Sequence, residues 1–256
     1  MAGIRLVYYG YSAQLRPAWT VSLLLAFNQV HIWRINLAQQ DDEIQRCRRV
    51  LSADELDRAD RFYFERHRRR FTVARAAMRH ILSRYAGIDA PGLRFSYGQK
   101  GKPALAGGLE QSGIEFNLSH SSERALLAVA RGLRLGVDIE WIKPDFATDE
   151  IAERFFSATE VDCLRSLPAG QRAEAFFSCW TRKEAYIKAL GEGLSVPLDS
   201  FAVAFAPGTA AALLHVKVNP AEVERWSMYN IAVTDGYKAA LVAEGKGHHL
   251  EEMDWP

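Results

Sequence analysis

The sequence is short of cysteine, of net charge and of long apolar runs, and each shortage removes a class of protein. There are three cysteines in 256 residues, Cys47, Cys163 and Cys179, with no Cys-x-x-Cys pair and no metal-ligand spacing. That excludes a disulfide scaffold and a cysteine zinc site, and fits reduced thiols in a cytoplasm. Lys and Arg number 32 against 31 Asp and Glu, a formal net charge of +1. The chain as a whole therefore advertises neither a nucleic acid nor a membrane as partner, and any anion site must come from local clustering. No segment reaches the roughly 18 apolar residues that span a bilayer. Ala18–Phe27 imitates the apolar core of a secretion signal, but Asn28, Gln29 and Val30 follow it instead of the small residues of a cleavage site. Residues 1–29 are thus expected to form an extension, and 246–256 a tail.

What is present is ordinary globular material, 48% hydrophobic and 25% charged, arranged twice over. Val30–Leu37 alternates and reads as a strand whose two faces are unequally buried. Ser52 and Glu55 form a capping box, followed by a basic amphipathic helix through Arg70 to Leu82 that Gly87 stops. The second half repeats the plan: Ser157 and Glu160 form a capping box, and a helix through Phe176 and Trp180 runs to Leu190 and ends at Gly191. Phe116-Asn117-Leu118 leads to Val129-Ala130-Arg131-Gly132. At the same spacing, Tyr229-Asn230-Ile231 leads to Val242-Ala243-Glu244-Gly245. Matched features in the same order indicate an internal duplication. The predicted fold is α+β: two similar halves, 30–135 and 136–245, related by a pseudo-twofold. Each has helices on a small, mostly antiparallel sheet, and a ligand cleft lies between them.

Four motifs carry chemistry. Gly136-Val137-Asp138-Ile139-Glu140 reads as a strand end with both carboxylates on one face. Two like charges there repel unless a cation sits between them, and hard oxygen donors suit Mg²⁺; the plainer reading is a solvated edge strand. Trp180, Glu184 and Lys188 stand at i, i+4 and i+8 of a helix. They make either a surface ion pair worth a few tenths of a kcal/mol, or a third carboxylate beside a phosphate-neutralising lysine. Phe116-Asn117-Leu118-Ser119-His120-Ser121 sets a hydroxyl beside an imidazole without the Gly-x-Ser-x-Gly elbow of a hydrolase. For His120 a structural and a ligand-binding role both stay open. Gly101-Lys102-Pro103 is a turn that exposes a lysine. The basic run Arg66–Arg70, with Arg58 and Arg61 nearby, is a solvated helix face, an anion site or a dock for an acidic protein.

In this order, and with this spacing, the motifs resemble the 4'-phosphopantetheinyl transferases, specifically the larger, pseudo-dimeric branch that activates peptide and polyketide synthases. The resemblance runs from about Val30 to about Glu244. It implies that Asp138, Glu140 and Glu184 bind Mg²⁺, which holds the pyrophosphate of coenzyme A. It further implies that Glu184 takes the proton of an incoming serine hydroxyl and that Lys188 neutralises the phosphate under attack. Arg58, Lys102, Ser119 and His120 would hold the nucleotide end of coenzyme A. The acceptor would be a serine of an apo acyl, peptidyl or polyketide carrier protein, and the leaving group 3',5'-ADP. One chain makes the whole cleft, so a monomer is expected. Two other readings use the same residues: a metal-dependent phosphodiesterase or nuclease, and a coenzyme A-binding module that has lost its chemistry.

Overall fold

The computed structural model describes residues 23–98, 100–147 and 149–256. The first half runs β1 (Gln29–Asn36), α1 (Asp41–Arg48), α2 (Ala53–Asp60), α3 (Glu65–Ala86), β2 (Arg94–Tyr97), β3 (Pro103–Ala106), β4 (Ile114–Ser121) and β5 (Arg124–Arg131). The second runs β6 (Leu135–Trp141), α4 (Asp149–Phe155), α5 (Ala158–Ser166), α6 (Ala169–Leu190), β7 (Phe201–Ala204), β8 (Ala212–Val216), α7 (Glu222–Arg225), β9 (Trp226–Asn230), β10 (Tyr237–Glu244) and β11 (His249–Asp254).

The two capping boxes do more than start α2 and α5. The Ser52 N–H donates to Glu55 Oε2 at 3.1 Å, and the Ser157 N–H donates to Glu160 Oε2 at 2.8 Å. Both glutamates are buried, and each also takes a buried cation from the long helix of its own half. Arg75 and Arg79 donate to Glu55 through Nε at 2.8 and 2.6 Å, and Lys183 Nζ lies 2.7 Å from Glu160 Oε2. A buried ion pair holds its geometry tightly, because removing one partner strands the other charge without solvent. The pairs thereby pin α2 to α3 and α5 to α6. Both long helices have 22 residues and end on a glycine in the left-handed region, Gly87 (φ 67°) and Gly191 (φ 74°), which a residue with a Cβ rarely adopts.

One sheet has the order β11-β1-β5-β4 and the other β6-β10-β9. In the first, β1 and β5 pair antiparallel with Trp33 opposite Leu127 and Ile35 opposite Ala125. In the second, β6 and β10 pair in the same way, with Asp138 opposite Ala240 and Glu140 opposite Lys238. The sheets are thus two copies of one pattern. Their inner faces form a common core of Val30, Ile32, Leu126, Ala128, Val137, Ile139 and Leu241. A second core in the first half holds Trp33, Ile35 and Leu37. β1 is therefore buried on both faces from Val30 to Trp33; beyond that Arg34 and Asn36 open toward solvent while Ile35 and Leu37 stay buried, the unequal burial its alternation suggests. It lies between the helices of its own half and the sheet of the other, a position that alternation does not encode.

Residues 246–256 are not a loose tail. β11 runs parallel to β1, from Gln29 opposite His249 to Arg34 opposite Asp254, so the end of the chain completes the first half's sheet. Arg34 grips it through Asp254 at 2.9 Å, and Trp255 stacks on His80 with ring centroids 6.2 Å apart. Of the expected extension 1–29, residues 1–22 lie outside the described residues.

Where the sheets meet, side chains stand in for a backbone ladder. Three alternate residues of β4 point at β6 and accept its N–H groups. Val137 N–H donates to Asn117 Oδ1 at 2.8 Å, Ile139 N–H to Ser119 Oγ at 3.4 Å and Trp141 N–H to Ser121 Oγ at 3.1 Å. Buried N–H groups need acceptors, and these bonds join the two halves in register. On its other side β6 lies directly against α6. A Cβ placed on Gly136 would come within 2.2 Å of the Ala185 carbonyl oxygen.

Candidate active site

Strand alternation turns Val137 and Ile139 into the core and Asp138 and Glu140 toward α6 and β4. Helix spacing brings Glu184 and Lys188 of α6 to the same place. Lys188 Nζ lies 2.5 Å from Asp138 Oδ1 and 2.9 Å from Ser119 Oγ, and the Ser119 hydroxyl donates to Asp138 Oδ1 at 2.9 Å. The Ser121 hydroxyl donates to Glu140 Oε2 at 2.7 Å.

The three carboxylates act on one another. Burial, followed by the charge of Asp138, pushes Glu184 up to about 7; Glu140 adds to the push and Lys188 opposes it. Glu140 is raised by burial and by Asp138, with Ser121, Lys188 and Lys143 pulling the other way. Like charges crowded in a partly dry site are destabilised until a cation or proton arrives. Asp138 is 2% exposed, yet its Oδ2 has no hydrogen-bond partner. A buried carboxylate oxygen with a free lone pair, beside two further carboxylates, is the donor set a hard cation such as Mg²⁺ takes. Among the described residues no group of three His, Cys, Asp or Glu side chains is drawn into finished ligand geometry. In its place the Lys188 ammonium rests on Asp138.

The residues expected to grip a nucleotide divide. The Ser119 hydroxyl is taken up between Asp138 and Lys188, inside the carboxylate cluster. Lys102 is not an exposed turn lysine: its Nζ donates to the Leu135 and Lys188 carbonyls, both at 3.0 Å. The Lys188 carbonyl belongs to the last turn of α6 and has no partner within the helix, so Lys102 caps that end from the other half. Burial lowers the Lys102 pKa. His120 presents its ring to solvent. Its pKa is nevertheless lowered, by the surrounding protein first and then by Lys188, Arg70 and His67, which marks a cationic rim beside the carboxylates. Arg58 stacks over Phe71 at 5.3 Å and lines a separate cavity of about 220 Å³ with Asp54, Arg61 and Tyr97. The basic run is largely matched by local acids: Arg68 with Glu65, Arg69 with Asp41 and Arg70 with Glu123.

The duplication supplies a second, equivalent cleft with none of this chemistry. By strand register, Trp33 and Ile35 stand where Asp138 and Glu140 stand in the other half. Counting from the glycine caps, His80 replaces Glu184, and Trp255 covers it. A cavity of about 540 Å³ lined by Ile35, Asn36, Ala232, Thr234 and Trp255 remains there. Among its described lining residues the only carboxylate is Asp254.

Sequence reasoning missed two features. Asn117 and Ser121 complete the seam with Ser119, and their signal was present: polar residues at i, i+2 and i+4 of one strand share a face. Lys183, not singled out in the sequence, is fully buried and pairs with Glu160.

Comparison with known proteins covers both halves. A family described as the 4'-phosphopantetheinyl transferase superfamily matches residues 134–242, and the N-terminal region of 4'-phosphopantetheinyl transferases matches residues 37–131. The 4'-phosphopantetheinyl transferase HetI of Nostoc sp. is 41% identical over 226 residues, covering 88% of this chain and 92% of that protein. The 4'-phosphopantetheinyl transferase Sfp of Bacillus subtilis is 32% identical over 208 residues, covering 81% and 87%. Among solved structures, an ACPS–CoA complex from Chronobacterium ammoniagenes matches 45% of this chain and 98% of its own, at 21% identity and a TM-score of 0.33.

Proposed function

The chain belongs to the 4'-phosphopantetheinyl transferase family, and from that premise we propose that its donor is coenzyme A, its acceptor a serine of an apo carrier protein, and its cation Mg²⁺ held by Asp138, Glu140 and Glu184. The observation that carries this reading is the cluster itself: three mutually repelling carboxylates, one of them with a buried oxygen left unpartnered, beside a lysine.

Each residue's part follows from its surroundings. When bound, Mg²⁺ neutralises the carboxylates and polarises the pyrophosphate oxygens of the donor. Glu184, the carboxylate that α6 presents beside Lys188, is the group suited to take the serine proton. As the serine oxygen bonds to the phosphorus next to pantetheine, the bond from that phosphorus to 3',5'-ADP breaks and the hydroxyl proton passes to Glu184. Lys188 exchanges Asp138 for the phosphate under attack, so its charge stays matched throughout. Positioning and charge neutralisation supply most of the rate in such displacements. His120 and Arg70 on the cationic rim receive the nucleotide phosphates, and Lys102 keeps α6 against β6 while they do. The three free thiols fit action in the cytoplasm, and one chain supplies the complete cleft, which supports a monomer.

The test is incubation with coenzyme A, Mg²⁺ and an apo carrier protein. A mass gain of one phosphopantetheine arm on the carrier is expected, and Glu184→Ala abolishes it while coenzyme A still binds. Transfer that survives in Glu184→Ala removes the role given to that residue.

A further inference from the structure

The seam between β4 and β6 has a consequence for the carboxylates. Ser121 Oγ accepts the Trp141 N–H at 3.1 Å, and its single proton goes to Glu140 Oε2 at 2.7 Å. A hydroxyl has one proton and two lone pairs. Because a backbone donor, fixed in β6, already points at the oxygen, the proton turns away from it and toward the carboxylate. Ser119 repeats the arrangement two residues earlier: it accepts from the Ile139 N–H and from Lys188 Nζ, and donates to Asp138 Oδ1. The difference lies in redundancy. Asp138 has two donors, Ser119 and Lys188, and is almost wholly buried. Glu140 has a longer side chain, sits nearer solvent, and Ser121 is its hydrogen-bond donor in this structure. An unrestrained glutamate samples several rotamers, and each must be given up when it takes a ligand.

We propose that Ser121 is a positioning residue: its backbone-anchored hydroxyl holds the Glu140 carboxylate in the orientation that receives the cation, so that the first half orients a ligand carried by the second. This rests on the assignment of Asp138, Glu140 and Glu184 as the cation's ligands. Side chains that orient metal ligands typically govern affinity by about 10- to 100-fold. Loss of a single neutral donor to a partly exposed carboxylate belongs near the lower end of that range.

The experiment is calorimetric titration of the full chain with Mg²⁺ alone, without coenzyme A or carrier, for the wild type, Ser121→Ala, Ser121→Thr, Ser178→Ala and Asp138→Ala. Ser178 lies on α6, and its hydroxyl donates to the Glu174 carbonyl of the same helix. Expected are a roughly 10-fold weaker affinity for Ser121→Ala, recovery to within about 3-fold for Ser121→Thr, which restores the hydroxyl, and wild-type affinity for Ser178→Ala. Thermal melting without metal is run alongside. A Ser121→Ala protein that melts like the wild type yet binds Mg²⁺ weakly separates orientation from folding. If Ser121→Ala binds as the wild type does, or Ser121→Thr fails to recover, the proposal falls and the ligand assignment stands. If wild-type Mg²⁺ binding is absent, or is unchanged in Asp138→Ala, the ligand assignment itself falls.

Discussion

Gly136→Ala tests how the site is assembled, because it adds one methyl group where a strand meets a helix. The new Cβ would lie 2.2 Å from the Ala185 carbonyl oxygen, 2.4 Å from the Ala189 nitrogen and 2.8 Å from the Lys188 carbonyl carbon. All three atoms belong to the backbone of α6, so no side chain can swing aside. Ordinary contact begins near 3.4 Å, and α6 must therefore retreat from β6 by more than 1 Å. Overpacking of this kind costs about 1–3 kcal/mol in a core that yields, and more in one that does not. Here resistance is high, because Glu160 and the carbonyls of Leu198 and Phe201 hold Lys183 of α6 on its far side. Chemistry suffers separately. Asp138 and Glu140 ride on β6 while Glu184 and Lys188 ride on α6, so the retreat widens the gap between the two pairs. A displacement of about 1 Å at reacting groups is enough for a roughly 100-fold loss. Urea unfolding and the transfer assay read the two effects. Gly170→Ala is the control: it makes the same substitution at the start of α6, where nothing lies within 4 Å of the new Cβ. It is expected to leave transfer intact and to stabilise by up to about 1 kcal/mol. A Gly136→Ala protein within 0.5 kcal/mol of the wild type, with full transfer, would refute the claim that direct backbone contact between β6 and α6 sets the site.

Other perturbations probe single terms. The pKa of Glu184 is raised in the folded protein to about 7 from an ordinary 4.5, so its contribution to stability is complete below pH 4.5 and is lost as pH rises through 7. In chelator, Glu184→Gln should therefore match the wild type near pH 4.5 and exceed it by up to about 3 kcal/mol at pH 8; a gap that does not change with pH contradicts this. Lys183→Met leaves the Glu160 carboxylate buried against a neutral neighbour and should cost about 3–5 kcal/mol by chemical denaturation; a loss under 1 kcal/mol would show the pair to be dispensable. Truncation after residue 248 removes β11 and Trp255, exposing the edge of β1 and the face of His80. Hydrogen exchange should then rise in β1 and α3 while β6 and β10 stay protected; unchanged exchange in β1 would mean that β11 contributes nothing to the first half's sheet.

Local signals were strong where one short stretch carries the whole physical cause. Capping boxes, glycine stops and the alternation that places Asp138 and Glu140 on one face depend on residues within a turn or two of each other. Position 8 of a helical stripe likewise put Lys188 above Glu184 without knowledge of the rest. Lys102 was misjudged for the opposite reason. Its turn looks exposed in isolation, and only the arrival of the α6 end, 86 residues later in the chain, turns its ammonium into a cap. The place of Ser119 between Asp138 and the Ile139 N–H was not legible either, because nothing in Phe116–Ser121 reveals that β6 lies alongside.

The amino-acid sequence alone pointed to an internal duplication, to the capped and glycine-stopped helices of each copy, and to three carboxylates and one lysine at spacings that could bring them together. Periodicity, caps and motif spacing are properties of neighbouring residues and survive without a fold. Tertiary structure decided what surrounds each of the two equivalent clefts. One copy sets Asp138, Glu140 and Glu184 against the hydroxyls of β4; the other sets Trp33, Ile35 and His80 beneath Trp255. That difference depends on which strand each sheet meets at its seam and on where the end of the chain returns. Contacts between residues on separate elements, 19 positions apart for Ser119 and Asp138 and far more for His80 and Trp255, leave no trace in local periodicity.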